Sequence, residues 1–327
     1  MNIRQLTKTL HHTVYPAISP SNPLNSAHGK TVVISGGASG IGYGIAQSFA
    51  AAGAATVVII ARRQAPLDEA STKLRAEIAA AGGKTEVWTY LLDITKEADV
   101  NGAFDDIRKR LNESSTPNTQ PKDADVLVTS AAHTGQGEAT SSLEYSTDAY
   151  REAFDTNLYG NLNLTRAFLK PEIPAIPLTS LDGIVKKTTP SPFPHNQKVI
   201  LDVSTVAAYT VFPASATYGT SKLAFTRALQ YLQSEVDALP GQPIRIHSFH
   251  PGAVFTPAAQ KALKTKLEGF EWDDESLPGG LAVWLASPAA AFLKGRFILS
   301  NWDVDELTAL KGKFEADPEF GLISLHF

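Results

Sequence analysis

The amino-acid sequence predicts an α/β fold, a doubly wound parallel sheet formed by a single domain. Short apolar runs rich in valine and isoleucine alternate along the chain with longer segments of helical pattern. This alternation is typical of a parallel sheet covered by helices on both faces. In addition, the first apolar run leads directly into a glycine-rich turn and an alanine-rich helix. Residues 30–300 are therefore predicted to form one dinucleotide-binding and catalytic domain.

The predicted elements follow one another in a regular order. Six strands are predicted, at Thr31–Ser35, Thr56–Ile60, Glu86–Leu91, Val126–Val128, Val199–Val203 and Ile244–Phe249. The first helix ends at Gly53, since glycine is common just past a helix end, and further helices are predicted at 66–81, 100–111, 147–169 and 218–238. The polar residues 112–122 are interpreted as a surface loop. The proline-rich residues 170–197 are interpreted as an irregular excursion, because proline interrupts a helix.

Two segments flank the domain, an N-terminal extension at 1–29 and a C-terminal tail at 301–327. The extension carries Arg4 and Lys8, no acidic residue and several prolines. It is interpreted either as an import peptide, which the prolines interrupt, or as an arm that packs on the surface.

Composition excludes several classes of function. The 29 lysines and arginines and the 33 acidic residues give a formal net charge of −4, which indicates neither a nucleic-acid-binding nor a membrane-binding protein. The chain has no cysteine, which excludes disulfides, thiolate metal sites and cysteine nucleophiles. No apolar run approaches the ~20 residues of a membrane-spanning helix. No metal site is predicted, because His133 and His250 have no carboxylate at ligand spacing. Together these features predict a cytoplasmic protein.

The glycine-rich turn predicts a dinucleotide site. Glycines between a strand and a helix let the backbone approach a pyrophosphate, and the helix N-terminus offers unpaired amides to the phosphates, as in the Rossmann fold. The residues predicted to bind the cofactor here are Gly36, Ser39, Gly40, Ile41 and Gly42.

The ends of the other strands predict which cofactor binds. The second strand ends in Arg62 and Arg63 rather than in an acidic residue, and guanidinium groups match the 2′-phosphate of NADP. Asp93, followed by Ile94, is expected to hold the adenine amine, to cap the following helix, or to do both. The residues expected to bind the nicotinamide carboxamide follow the sixth strand: Pro251, Gly252, Val254 and Thr256.

A catalytic pair is predicted on the helix at 218–238. Tyr218 and Lys222 stand four residues apart, so their side chains share one face of that helix. An ammonium group near a phenol lowers its pKa, so Tyr218 is expected to exchange a proton with a substrate oxygen near neutral pH. Asn157 lies on the preceding helix. A hydroxyl for the substrate carbonyl is available at the end of the fifth strand, from Ser204 or Thr205.

The order and spacing of these residues resemble the short-chain dehydrogenase/reductase family from about Lys30 to Leu299. The glycine turn, Tyr218-x-x-x-Lys222 and Pro251-Gly252 carry the resemblance, together with Asn157 and Thr205. The residues from 292 to 305 resemble a branch of the family that is frequent in filamentous fungi.

The resemblance implies roles for four residues. Tyr218 would be the acid/base, and Lys222 would hold the nicotinamide ribose and depress the tyrosine pKa. Asn157 would anchor a water molecule in a proton relay. Thr205 would stand for the family's serine, whereas Ser204, one residue earlier on a strand, should face the other way. The family also implies a homo-oligomer, a dimer or a tetramer.

One turn departs from the family pattern. Residues 129–132 read Thr-Ser-Ala-Ala where the family usually has Asn-Asn-Ala-Gly. Ala131 is predicted to contact the cofactor, Ala132 to narrow the space beside its ribose, and the Thr129 and Ser130 hydroxyls to tie neighbouring loops together.

The predicted reaction is hydride transfer from NADPH to a ketone or aldehyde of a hydrophobic small molecule, or the reverse alcohol oxidation. The segments 133–145 and 257–280 are interpreted as apolar loops that border the substrate pocket, and a secondary-metabolite intermediate is a reasonable substrate class. Two alternatives stay open: a non-redox catalyst, such as a cyclase or dehydratase, and a regulatory protein that binds NADP without turnover.

Overall fold

The structure is a computed structural model, and it describes residues 6–113, 121–135, 141–169, 197–212, 215–238 and 243–323. The excursion predicted at 170–197, apart from Gln197, lies outside the described residues. So do most of the predicted loop at 112–122, residues 136–140 of the segment at 133–145, and both chain ends.

Seven parallel strands form one sheet in the order β3-β2-β1-β4-β5-β6-β7. The strands are β1 Thr31–Ser35, β2 Thr56–Ala61, β3 Glu86–Leu91, β4 Val126–Thr129, β5 Lys198–Val203, β6 Ile244–His250 and β7 Phe297–Leu299. The six predicted strands are present within one or two residues. The sequence analysis missed β7, because three residues are too short for a pattern and are held in the sheet by pairing with β6.

Helices cover both faces of the sheet, which confirms the predicted doubly wound α/β fold. They are α1 Gly40–Ala51, α2 Gln64–Ala80, α3 Glu97–Asn112, α4 Thr147–Phe154, α5 Asn161–Leu169, α6 Ala216–Val236, α7 Pro257–Leu263, α8 Ser276–Ala286, α9 Val304–Ala309 and α10 Lys311–Ala316. Alternate residues of β1 enter different cores: Val32 and Ile34 pack with α1, α2 and α8, whereas Val33 packs with α3, α5 and α6.

Two of the predicted boundaries are wrong. The helix predicted at 147–169 is interrupted by a π-helical segment at Asp155–Gly160 between α4 and α5. The segment 257–280, interpreted as a loop, contains α7 and the first turn of α8. One of its glycines, Gly279, allows a close helix contact instead of a turn, since a Cβ there would lie 2.8 Å from the carbonyl oxygen of Gly44 on α1.

The described part of the N-terminal extension packs against the tail, as one of its two interpretations predicted. Leu10 forms an antiparallel bridge with Trp302, and Ile18 is fully buried in the core beside α8. The Tyr15 hydroxyl donates to the carbonyl oxygen of Trp302 (3.1 Å) and accepts from the amide of Val304 (2.8 Å). Residues from opposite ends of the chain thus fix one another. None of the described helices is both long enough and apolar enough to cross a membrane.

Candidate active site

A cavity of about 550 Å³ opens at the carboxyl ends of the strands. The sheet order reverses between β1 and β4, and in doubly wound sheets ligands bind at such a reversal. Most of the predicted site residues line this cavity: Gly36, Ser39, Gly40, Ile41, Gly42, Arg62, Arg63, Asp93, Ile94, Ala131, Tyr218, Pro251 and Thr256. The predicted residues Asn157, Thr205, Lys222, Gly252 and Val254 are not part of its wall.

Only glycine fits at the first position of the glycine turn, Gly36. Gly36 has φ +68°, a region that other residues rarely adopt, and a Cβ there would lie 2.9 Å from the backbone nitrogen of Ala131. At Gly42 a Cβ would collide with the carbonyl oxygen of Gly36. The turn is therefore compact, and α1 begins at Gly40, on the cavity wall, with the unpaired amides of a helix start.

The turn after β4 is tied to the turn after β1 by Ser35. Its hydroxyl accepts from the amides of Ser130 and Ala131, both at 3.2 Å. The expectation that the Thr129 and Ser130 hydroxyls would tie the loops is wrong for Thr129, whose hydroxyl donates to the carbonyl oxygen of Leu201 at 3.5 Å within the sheet. Successive side chains of a strand alternate between its two faces, and the Thr129 hydroxyl bonds within the sheet instead of reaching the loops.

The charged residues at the next two strand ends lie on the cavity wall. Arg62 and Arg63 follow β2 and are exposed, and Asp93 follows β3. Asp93 Oδ1 accepts from the amide and the hydroxyl of Thr95, at 3.0 and 2.9 Å. The expectation that Asp93 caps α3 is wrong, because Lys96 occupies the N-cap position. Asp93 instead holds a tight local turn at the edge of the cavity.

Thr205, and not Ser204, contacts Tyr218. The Thr205 hydroxyl accepts from the amide of Ala207 at 3.2 Å and lies near enough to the half-buried Tyr218 phenol to lower the pKa of that phenol. Ser204 points the opposite way, with its hydroxyl 2.7 Å from that of Thr226 in the interior. The two hydroxyls thus face opposite ways, Thr205 toward Tyr218 and Ser204 toward the interior, as strand alternation predicts.

The pKa of Tyr218 moves opposite to the expected lowering. It is raised to about 12, chiefly by burial and in part by the charge of Asp202, while the nearby Thr205 hydroxyl opposes this shift. The phenol therefore holds its proton at neutral pH, and in this state it can donate that proton but cannot accept one.

Lys222 is paired with an acidic residue that the sequence analysis missed. Its Nζ donates to Asp202 Oδ1 at 3.1 Å, and both side chains are almost completely buried. The hydroxyl of Thr226 donates to the other oxygen of Asp202 at 2.9 Å. An available signal was the single acid inside the apolar run Val199–Val203, because a buried carboxylate requires a partner.

Asn157 links the turn after β4 to α6. It is fully buried in the π-helical segment, a type of irregularity that is frequent at functional sites. Its Oδ1 accepts from the amide of His133 at 2.7 Å, while its Nδ2 donates to the carbonyl oxygen of His133 (2.8 Å) and the hydroxyl of Ser221 (2.9 Å). His133 and Ser221 are further residues of this network that sequence reasoning missed.

The segment after β6 closes the far side of the cavity. Pro251 and Thr256 line the wall, and Gly252 has φ +91°. Burial lowers the pKa of His250, at the end of β6, to about 4, although the charge of Asp273 opposes this shift. The site therefore combines a glycine turn able to bind phosphate, exposed arginines, and a protonated tyrosine beside a threonine hydroxyl.

Comparisons with known proteins give a consistent result. A sequence profile described as "short chain dehydrogenase" matches residues 30–174. The chain is 36% identical to the short chain dehydrogenase/reductase nsrO of Aspergillus novofumigatus, over 98% of this chain and 96% of that protein. Among solved structures, a short-chain type dehydrogenase/reductase from Mycobacterium ulcerans is similar, with a TM-score of 0.65 and 22% identity over 84% of this chain and 89% of that one. A single-residue variant of the actinorhodin polyketide ketoreductase, solved with NADPH, has a TM-score of 0.62 and 19% identity over 83% and 95% of the two chains.

Proposed function

The chain belongs to the short-chain dehydrogenase/reductase family, a family of oxidoreductases, and on this premise we propose that it is an NADPH-dependent reductase of a hydrophobic ketone or aldehyde. The resemblance stated from the sequence is thereby confirmed at the level of the family. The observation that carries the finer proposal is the Tyr218 phenol, which lines the cavity bordered by the glycine turn and has the Thr205 hydroxyl near it.

The residues around the cavity fit a nicotinamide dinucleotide phosphate. The turn at Gly36 and Gly42 has no room for a side chain, and the amides that open α1 are suited to a pyrophosphate. Arg62 and Arg63 stand exposed at the end of β2, where a 2′-phosphate would meet them. When bound, NADPH would supply the hydride. A solved structure of similar fold, the actinorhodin polyketide ketoreductase, contains NADPH.

Tyr218 is the proposed proton donor. A substrate carbonyl oxygen would accept hydrogen bonds from the hydroxyls of Tyr218 and Thr205, and the tyrosine proton would move to that oxygen during reduction. A pKa raised to about 12 keeps this proton in place at neutral pH, where the phenol can act as a proton donor.

Lys222 and Asn157 are proposed to act beside the reacting groups. The ammonium of Lys222 has three donors, of which Asp202 engages one, so others remain for a cofactor ribose. Asn157 is a positioning residue, because its side chain joins the turn at His133 to Ser221 on α6, one turn from Tyr218. A secondary-metabolite carbonyl is the proposed substrate class.

The first test compares the wild type with Tyr218→Phe in NADPH oxidation over a panel of hydrophobic ketones. Loss of a general acid lowers kcat by about 100- to 10,000-fold. Tyr231→Phe is the matched control, because Tyr231 lies on the same helix with its side chain exposed. We expect Tyr218→Phe to keep NADPH binding and lose turnover, whereas Tyr231→Phe keeps both. Tight NADPH binding by the wild type without oxidation of any ketone would overturn the proposal and favour the non-redox alternative.

A further inference from the structure

We propose that His12, in the N-terminal arm of residues 10–15, acts through Asp273 to position the loop Pro251–Thr256 and so raises affinity for the nicotinamide half of the cofactor. This inference rests on the proposed function, because that loop is predicted from the sequence to bind the nicotinamide carboxamide of the proposed cofactor. The arm precedes β1 in the sequence, and residues 10–15 do not line the cavity. The inference therefore gives the arm an indirect role in cofactor binding.

On the loop side, Asp273 forms part of the loop's own structure. Its Oδ2 accepts from the amide of Ala253 at 2.5 Å, and its backbone amide donates to the carbonyl oxygen of Ala253 at 3.0 Å. Asp273 also forms a parallel bridge with Val254. A Cβ at Gly252 would lie 2.5 Å from the same carboxylate oxygen. The loop therefore wraps closely around this one side chain.

On the arm side, the other carboxylate oxygen of Asp273, Oδ1, is held by His12 of the arm and by Asn301 of the C-terminal tail. His12 Nδ1 lies 2.6 Å from Oδ1, and Asn301 Nδ2 donates to Oδ1 at 2.7 Å. The arm backbone is fixed as well, because the carbonyl oxygen of His12 accepts from the amide of Asp274 at 2.8 Å. Glu271 lies 3.2 Å from the other ring nitrogen of His12.

These contacts connect the arm to the cavity through one buried carboxylate. The Asp273 side chain is only 5% exposed, because His12 and Asn301 cover its Oδ1 and the loop covers its Oδ2. Pro251 and Thr256, at the two ends of the loop, line the cavity. A loop held in one conformation loses less entropy when it binds a ligand, which raises affinity without a new contact. The arm acts by positioning and does not touch the cofactor.

The experiment compares His12→Ala with His11→Ala in the full-length protein. His11 is a matched control: its Nε2 lies 2.8 Å from Asp303, it stacks on Tyr15 at 3.5 Å between ring centroids, and its ring makes its contacts away from Asp273. Affinities are measured by calorimetry for NADPH and for 2′-phospho-ADP-ribose, which lacks the nicotinamide. A third variant, His12→Asn, keeps a nitrogen donor near the position of Nδ1, and thermal unfolding is followed for every variant.

We expect His12→Ala to weaken NADPH binding by about threefold to tenfold and to leave 2′-phospho-ADP-ribose binding unchanged. His11→Ala should bind both ligands as the wild type does, and His12→Asn should recover NADPH affinity. Unchanged NADPH affinity in His12→Ala, or equal weakening of both ligands, would overturn the inference, since the arm would then only stabilise the fold. A wild type that binds neither ligand would instead overturn the proposed function, and this inference with it.

Discussion

Replacing Asp202 with asparagine should destabilise the protein by about 3–5 kcal/mol, the usual effect of removing one partner of a buried ion pair. The side chains of Lys222 and Asp202 are 1% and 0% exposed, so the ammonium left behind has no access to water. Asparagine has nearly the same size and keeps an oxygen for the hydroxyl of Thr226. The loss therefore reports the charge of Asp202 rather than a cavity.

The size of the effect can be converted into a melting temperature. Unfolding entropy is about 2.1 cal/mol/K per residue, so 327 residues give about 0.7 kcal/mol/K. A loss of about 3–5 kcal/mol then lowers Tm by about 4–7 °C. The charge of Asp202 also raises the pKa of Tyr218, so its removal should lower that pKa.

Thermal unfolding followed by circular dichroism measures this change, with Glu315→Gln as the control. Glu315 pairs with Lys311 at 3.7 Å, but both side chains are more than half exposed, and such a pair contributes about 0.5 kcal/mol or less. Adding Lys222→Met to Asp202→Asn should restore part of the lost stability, because it removes the unpaired charge. A Tm of Asp202→Asn within about 1 °C of that of the control, on the order of the surface-pair effect, would refute the reasoning.

Two further predictions concern acid stability and cofactor choice. Burial, aided by the charge of Arg245, lowers the pKa of His247 to about 3, and burial lowers that of His250 to about 4. Because the unfolded chain binds these protons first, near pH ~6.5, the free energy of unfolding should fall as pH drops from about 6.5 toward 3. His247→Asn, which can still donate to the carbonyl oxygen of Leu293, should show a shallower fall in denaturant titrations, and an identical slope would contradict this. Replacing Arg62 and Arg63 together with alanine should weaken NADPH binding by about tenfold or more and leave NADH binding unchanged; equal loss for both cofactors would mean that the arginines do not contact the 2′-phosphate.

The features that could be predicted from the sequence are those that depend on local chain geometry. Strands buried on both faces, such as β1 and β2, appear as continuous apolar runs and were predicted, whereas the three residues of β7 are a strand only because β6 lies beside them. The glycine turn follows from conformations that only glycine adopts readily, as at Gly36. Tyr218 and Lys222 share a helix face because they stand one turn apart.

Contacts between residues that are distant in sequence could not be predicted and were seen in the folded structure. The partner of Lys222 is Asp202, which lies 20 residues earlier and is the one acidic residue in the apolar run of β5. The segment 257–280 was predicted to be a loop because of its glycines, but Gly279 lies in a helix, where it allows close packing against α1. The contact of His12 with Asp273 spans 261 residues. Periodicity and spacing describe only neighbours along the chain, whereas a buried charge finds its partner through the packing of whole elements. For this reason the sequence located the glycine turn and the helix that carries Tyr218 and Lys222, while the fold determined which side chains hold them in position.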